Sequence, residues 1–235
     1  IKAAQGISYT GWATGLAGPR GLVVDPYGGL WVAEQRSGKI AKVGKDGKVT
    51  RIGGTFQNPH DLDMDAKGNL YVAEMNTGRV MTISPAGVVK IYAEYLDGPV
   101  DLAFSPTGEL LVCEYYGKKL VALKSPTDRR VVVQGFTPHG LAFRKSGATI
   151  VNDWSGDRVV EVLPGGGVKV IATGVEQPVG VTIGRSGDIY VPEPKAGKLI
   201  RILPDGGRTV LLEGLKGPRD PVFDSQGDLF LAETE

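Results

Sequence analysis

One recurring stretch decides the fold of this chain: GNLYVAE at residues 68–74, preceded by a proline at position 59. Working outward from it, similar prolines recur every 39 or 40 residues, and each is followed 15 residues later by an acidic residue. A glycine turn lies between each proline and its acid. The prolines are Pro19, Pro59, Pro99, Pro138, Pro178 and Pro218, and the acids are Glu34, Glu74, Glu114, Asp153, Glu193 and Glu233. Such a fixed period is typical of a repeat architecture.

Each repeat is rich in strand-forming residues and is interpreted as four short strands separated by turns. In the second strand of the first repeat, Leu30 and Val32 point to one face and Trp31 and Ala33 to the other, yet both pairs are apolar. The sheet must therefore be covered on both faces, as it is when blades stack around a central channel. We predict an all-β chain that forms a six-bladed β-propeller with four strands per blade.

The two ends of the chain carry incomplete repeats. The last repeat stops after two strands, while residues 1–15 align with the third and fourth strands of the other repeats. We therefore expect one domain over residues 1–235, closed by a composite blade built from residues 1–15 and 219–235. The alternative is an open β-solenoid, which would leave the half-repeats at both ends without partners.

Composition restricts the classes of partner. The chain has 27 basic and 26 acidic residues and a net charge of +1, so no bulk field attracts nucleic acid or an anionic membrane. We expect neither partner, and we expect a monomer that binds a small molecule. Cys113 is the single cysteine, which excludes an internal disulfide. The chain begins at Ile1 without a methionine, so the compartment stays open, with a secreted or periplasmic location as one interpretation.

Three stretches carry a resemblance to known families: GPRGL at residues 18–22, GNLYVAE at 68–74 and TGRV at 77–80. They resemble the NHL-repeat propellers and their relatives, the SMP-30/gluconolactonase and streptogramin-lyase-like groups. The resemblance covers essentially the whole chain and implies the propeller architecture. The functions that it implies are diverse, since such propellers include lactonases, lyases and purely binding modules.

The residues just after the prolines should surround the mouth of the channel. These residues are Arg20, His60, Val100, His139, Val179 and Arg219, and the next row consists of Gly21, Asp61, Asp101, Gly140, Gly180 and Asp220. In the ring, Arg219 and Arg20 are neighbours, and guanidinium groups grip carboxylates and phosphates in two-point geometry. We interpret Arg20 and Arg219 as ligand-binding residues. The alternative is that each arginine pairs with a neighbouring aspartate and ties the blades together.

A metal is a further hypothesis for the channel. Resemblance to SMP-30 relatives implies a channel ion held by a Glu before Gly-Pro, an Asn in a Pro-Asn-Gly and an Asp in a Pro-Asp-Gly. The repeated prolines do not match this pattern, because Ala17 precedes Gly18 and Pro19 and no proline of the ring is followed by Asn or Asp. Three carboxylates, Asp61, Asp101 and Asp220, nevertheless offer oxygen ligands of the kind that calcium or magnesium takes.

Blades three and four depart from the repeat with aromatic residues. Tyr115 and Tyr116 replace the usual polar loop in blade three, and Trp154 follows the acid of blade four. These three residues would give the mouth an aromatic wall suited to an organic ligand. The alternative is sequence drift in exposed loops.

Two histidines are the acid/base candidates. Pro138-His139-Gly140 resembles the Pro-His-Gly of streptogramin lyases, which implies a channel-facing histidine that transfers protons. Antiparallel pairing matches His60 with Glu74 and His139 with Asp153, and a nearby carboxylate would raise a histidine pKa towards neutrality. The catalytic candidates are therefore His139, His60, Asp153 and Glu74. Alternatively, both histidines are structural.

Two classes of function remain open. The first is a propeller that binds a small molecule at the channel mouth and acts on it as a lactonase- or esterase-like hydrolase or as a lyase. The second is a non-catalytic NHL-type module that binds a ligand or a protein. No Gly-x-Ser-x-Gly elbow and no Cys/His metal cluster is present to decide between them.

Overall fold

The structure, a computed structural model, describes residues 1–234. In that part of the chain short strands alternate with turns, as the repeated strand-forming residues predict. In chain order the strands are β1 (Lys2–Ala3), β2 (Pro19–Val24), β3 (Leu30–Glu34), β4 (Lys39–Val43), β5 (Val49–Ile52), β6 (Pro59–Met64), β7 (Leu70–Glu74), β8 (Arg79–Ile83), β9 (Val89–Ala93), β10 (Pro99–Phe104), β11 (Leu110–Glu114), β12 (Lys119–Leu123), β13 (Arg129–Gln134), β14 (Pro138–Phe143), β15 (Thr149–Asp153), β16 (Arg158–Val162), β17 (Val168–Thr173), β18 (Thr182–Ile183), β19 (Ile189–Glu193), β20 (Lys198–Ile202), β21 (Arg208–Glu213), β22 (Pro218–Phe223) and β23 (Leu229–Glu233).

The turn between the first two strands of a repeat shows why the pattern forms hairpins. Between β6 and β7, Asp65 Oδ1 accepts hydrogen bonds from the backbone N–H groups of Lys67 and Asn69 at 2.9 and 2.8 Å. Gly68 then takes a φ of 80°, a conformation that costs a residue with a Cβ atom more than it costs glycine. The chain reverses there and β7 pairs antiparallel with β6.

The described residues form five blades of a β-propeller, not the predicted six, and each blade is built from four consecutive strands. The five blades are β2–β5, β6–β9, β10–β13, β14–β17 and β18–β21. The sixth repeat contributes only a two-stranded sheet, β22–β23. Its β22 contacts both β18 and β2, so this small sheet fills the space between the fifth and first blades and completes the ring of inner strands.

The predicted composite blade is wrong because the N-terminal segment pairs elsewhere. Strand β1 pairs antiparallel with β21, which adds a fifth strand to the sheet of the fifth blade. Residues 4–18 contain no strand, so they do not supply a third and fourth strand to the sixth sheet. They do pack on it, since the Trp12 ring centroid lies 4.7 Å from that of Phe230. Position 235 of the predicted composite blade lies outside the described residues.

The core is a series of apolar layers between neighbouring sheets. Val32 and Ala33 are adjacent in β3 and both are fully buried, which confirms that both faces of the sheet are covered. Each apolar cluster combines residues of two neighbouring sheets, for example Ile40 of the first blade with Leu62 of the second. Cys113 is buried in the cluster between the third and fourth blades, where burial raises the pKa of its thiol well above the usual value. No helix long and apolar enough to span a membrane occurs between residues 1 and 234.

Candidate functional site

The residues that follow the repeated prolines meet at one end of the channel, as predicted. Because the first strand of each repeat is innermost and the strands lie side by side around the ring, their equivalent positions come together. They surround a small cavity of about 20 Å³ lined by Arg20, Gly21, His60, Asp61, Val100, Asp101, His139, Val179, Gly180, Arg219 and Asp220. This volume is close to that of one small polar group.

His60 is held on both sides of its ring. Its Nδ1 lies 2.9 Å from the backbone carbonyl oxygen of Val100, and its Nε2 lies 2.6 Å from Arg20 Nη1. A carbonyl oxygen can only accept, so Nδ1 carries the proton and the Nε2 lone pair accepts from the guanidinium. Arg20 is oriented further by Gln35, whose Oε1 accepts a hydrogen bond from Arg20 Nε at 2.6 Å.

His139 lies beside His60, although 79 residues separate them in the sequence. The two ring centroids are 5.4 Å apart, and the Tyr115 ring centroid is 5.9 Å from that of His139. His139 Nδ1 is buried and makes no hydrogen bond to any other residue between 1 and 234. The two histidines therefore differ, because both nitrogens of His60 have partners and those of His139 do not.

The predicted direction of the histidine pKa values is wrong. Burial, and then the charge of Arg20, hold the pKa of His60 well below its usual value. Burial, followed by Arg20 and Arg219, lowers the pKa of His139 from 6.5 to about 3. The expected carboxylates do not counteract this, because their hydrogen bonds go elsewhere. Both imidazoles are therefore uncharged at neutral pH.

Glu74 and Asp153, the expected partners of the histidines, instead hold the loop that precedes each proline. Glu74 Oε1 accepts from the backbone N–H of Gln57 at 2.8 Å, and Asp153 Oδ1 accepts from that of Thr137 at 3.1 Å. Equivalent bonds from a backbone N–H are made to Glu34, Glu193 and Glu233. The repeated acids, called the acidic ring below, thus fasten loops to blades. Glu114 differs and forms an ion pair with Lys119 Nζ at 3.2 Å.

The three aspartates of the channel tie neighbouring inner strands together. Asp220 Oδ2 accepts from the backbone N–H of Leu22 at 2.9 Å, and Asp61 Oδ2 accepts from that of Leu102 at 3.1 Å. Asp101 accepts similarly from the backbone of Leu141. At the positions equivalent to these aspartates where the chain has glycine, neighbouring inner strands lie closer together. A Cβ on Gly140 would clash with the carbonyl oxygen of Val179.

This geometry does not fit the predicted calcium or magnesium site. Over residues 1–234, no group of three or more His, Cys, Asp and Glu side chains is arranged to hold a metal ion. Burial is the main reason why the pKa values of Asp61 and Asp101 lie well above the usual range, and it raises that of Asp220 to about 8. Carboxyl groups that are buried and bond to amides of the next strand are poor ligands for a hard cation.

The predicted aromatic residues do form one continuous wall at the mouth. Tyr115 is at its centre, with its ring centroid 5.4 Å from Tyr116 and 5.6 Å from Trp154. Beside Trp154, a groove of about 620 Å³ extends over the loops of blades four and five to the sixth sheet. The groove shares Val179 and Arg219 with the channel cavity, so the two spaces lie next to each other.

Two residues of the site were not among the predicted site residues. Gln35 orients Arg20, and its position directly after the acid of β3 carries no distinctive signal. Asn152 is fully buried and its Nδ2 donates to the backbone carbonyl oxygens of Val179 and Gly180, at 2.8 and 2.9 Å. Asn152 occupies the place held by Ala33 in the first blade, so its departure from the repeat was a usable signal.

No family model matches this chain, and no curated protein matches its sequence. Solved structures do match. They include a gluconolactonase from Xanthomonas campestris, with 14% identity, a TM-score of 0.84 and coverage of 95% of this chain and 85% of that chain. A protein described as a putative gluconolactonase has 16% identity, a TM-score of 0.82 and coverage of 95% and 88%. A catalytically inactive histidine-to-alanine variant of virginiamycin B lyase from Staphylococcus aureus, solved with quinupristin, has 19% identity, a TM-score of 0.74 and coverage of 92% and 78%.

The chain shares the β-propeller fold of these lactonases and lyases. Identities of 14 to 19% carry no information about activity on their own, because one fold hosts many functions. The function must therefore be argued from the residues at the mouth.

Proposed function

We propose that this protein binds a small organic molecule at the mouth of the propeller channel and acts on it as a hydrolase or a lyase. The observation that carries the proposal is His139: an imidazole with its Nδ1 unpaired among the described residues, between two arginines and an aromatic wall. Such a group is expensive to bury unless it has a task, since an unsatisfied buried polar atom destabilises a fold by about 1–3 kcal/mol.

His139 has the properties of a base. With a pKa of about 3 it is uncharged at neutral pH and its lone pair is available. Negative charge on a bound substrate would raise that pKa towards the range in which the imidazole takes a proton from water or from a carbon next to a carbonyl group. Both steps place negative charge on the carbonyl oxygen. The positive charges of Arg20 and Arg219 act on the same mouth and would stabilise that negative charge through space.

His60 takes a supporting role in this proposal. Its Nε2 lone pair is occupied by Arg20, so it orients the guanidinium and is not itself the base. Glu74 and Asp153, which are bonded to loop amides, hold the strands that carry the histidines. The neighbouring folds agree with such chemistry, since one is a gluconolactonase and another a putative gluconolactonase by name, and the lyase variant with one histidine replaced by alanine is catalytically inactive.

The test is an activity screen with purified protein against lactones, aryl esters and cyclic ester peptides. His139→Ala should lower turnover of any substrate found by about 100-fold, the usual contribution of one acid/base group. Turnover by the parent should stay level between about pH 8 and pH 5, because the base does not take up a proton in that range. Arg185→Gln is the control, since Arg185 bonds to Ser225 in the turns at the opposite end of the ring. Unchanged turnover in His139→Ala, or a loss of rate centred near pH 6.5, would contradict the assignment of the base.

A non-catalytic binding module is the second candidate, and the groove beside Trp154 favours it. The groove is much larger than the cavity beside His139, at about 620 Å³ against about 20 Å³. A ligand could therefore bind mainly to the groove without meeting the imidazole. Binding without turnover, unaffected by His139→Ala, would identify this case.

A further inference from the structure

Arg20 is a partly buried cation with only neutral partners. Its Nε donates to Gln35 Oε1 and its Nη1 to His60 Nε2, both at 2.6 Å. No carboxylate of residues 1–234 lies within ion-pair distance of it, although eight other ion pairs occur in that part of the chain. Its Nη2 makes no hydrogen bond to the described residues, so one edge of the guanidinium keeps its donors. A buried cation usually has an anionic partner.

A second positive charge stands beside Arg20. Arg219 has the equivalent place in the adjacent inner strand β22, which contacts β2. The two charges interact, since burial and then the charge of Arg219 lower the pKa of Arg20 from 12.5 to about 10. Both arginines line the channel cavity.

The other titratable groups of the cavity do not balance this charge. Asp220, whose pKa is raised to about 8 mainly by burial, keeps its proton at neutral pH. Burial also raises the pKa values of Asp61 and Asp101 well above the usual range. His60 and His139 are uncharged. The positive charge of Arg20 is therefore set in a low-dielectric wall without a carboxylate partner among residues 1–234, which strengthens its attraction for an anion.

We propose that the mouth is a subsite for the carboxylate of an acidic ligand, gripped by Arg20 and attracted by Arg219. This inference rests on the proposed function, because it names the class of molecule that the same site takes. The free edge of a guanidinium matches the two oxygens of a carboxylate.

The body of the ligand lies along the groove. Because Val179 and Arg219 line both the cavity and the groove, the groove is the neighbouring space into which the rest of a molecule bound at Arg20 would extend. The Trp154 ring offers an apolar surface, and Lys195 and Lys216 line the far part of the groove. The ligand is thus an organic acid with an apolar or aromatic body.

Isothermal titration calorimetry with benzoate and its uncharged counterpart benzamide tests this inference. Phenylacetate and phenylacetamide form a second pair with a longer arm. The carboxylates should bind the parent at least tenfold more tightly than the amides, and Arg20→Gln should remove at least tenfold of that affinity. Arg185→Gln, the control at the opposite end of the ring, should bind as the parent does.

Arg20→Lys guards against a trivial loss of structure. This variant keeps the positive charge but loses the planar guanidinium that bonds a carboxylate at two points. It should therefore bind the carboxylates with an affinity between those of the parent and Arg20→Gln. Equal affinity for acid and amide in the parent would overturn the subsite. So would carboxylate binding that survives in Arg20→Gln, or that is lost equally in Arg185→Gln.

The outcome for the subsite is separate from that for the proposed activity. Carboxylate binding that depends on Arg20, with no turnover of any substrate, would support the subsite and reject the enzyme. Turnover of an uncharged lactone that depends on His139, with no preference for acids over amides, would support the enzyme and reject the subsite.

Discussion

Two rings of polar residues in this propeller repeat with the same period and have opposite properties. The acidic ring is nearly uniform around the molecule, and five of its six members accept a hydrogen bond from the backbone of the loop before the proline. The ring at the mouth changes from blade to blade, from arginine to histidine to valine, and has charges without anionic partners at Arg20. Polar residues that recur in every repeat and have hydrogen-bond partners therefore stabilise the blades. Polar residues that vary between repeats and lack such partners lie at the candidate site.

The first test of this comparison is the contribution of the acidic ring to the free energy of unfolding of the protein. Glu34 is fully buried and accepts from the backbone N–H of Ala17, from Ser37 and twice from Arg51. Glu34→Ala should lower the free energy of unfolding by about 3 kcal/mol, because the remaining partners lose a buried anion. Denaturant unfolding measures this value, and benzoate affinity should not change.

The control for Glu34→Ala is Glu109→Ala. Glu109 pairs with the exposed Arg130 at 2.8 Å, and such surface pairs contribute about 1 kcal/mol or less. If both variants lose the same stability, the acidic ring has no special part in the fold and the comparison fails.

A pH-dependent effect concerns the aspartates beneath the mouth. Asp220 has a pKa raised from 3.8 to about 8 in the folded chain, so the folded state holds a proton that the unfolded state releases. Stability from this group is complete at acid pH and is lost as the pH rises from about 4 to about 8. The Asp220→Asn side chain does not titrate and can still accept a hydrogen bond from the backbone of Leu22. The melting temperature of the variant should therefore rise relative to that of the parent as the pH increases over the same range. Parallel melting curves across that range would show that Asp220 is charged in the fold.

The smallest effect, which has the opposite sign, is expected at His139, because this side chain is only partly buried. Its pKa is lowered from 6.5 to about 3, so the unfolded chain binds a proton that the folded chain does not. Stability from this group is complete above about pH 6.5 and is lost as the pH falls towards 3. His139→Asn should therefore melt at the same temperature as the parent near pH 8 and at a higher one near pH 5. A variant that is less stable than the parent at both values would give His139 a structural role, as in the acidic ring.

Much of the molecule could be predicted from its repeat. The strand pattern, the burial of both faces of β3 and the meeting of Arg20, His60 and His139 at one end of the channel all follow from strands that recur every 40 residues around a ring. The aromatic wall of Tyr115, Tyr116 and Trp154 was also visible as a departure from that repeat. Departures of this kind are informative because the shared residues have a shared structural task.

The partners of individual side chains could not be predicted in the same way. Antiparallel register places Pro59 opposite Glu74, yet the Glu74 side chain turns to the loop amide of Gln57 rather than to His60. Asp61 and Asp220 bond to amides of the next inner strand, which is 40 residues away in one case and across the chain ends in the other. The hydrogen-bond partner of each side chain depends on its rotamer and on differences in distance of about an ångström, and the strand periodicity does not encode either.

By itself, the sequence determined that this chain is a β-propeller and which end of the channel bears its unusual residues. The repeat period, the alternation of side chains and the turn residues are local properties, and the same pattern recurs in every repeat. Only the tertiary structure decided that the sixth repeat is a two-stranded sheet, that β1 joins the fifth blade, and that the histidines are uncharged. Strand partners at the chain ends depend on which edge lies within reach, and a pKa depends on burial and on charges from distant repeats.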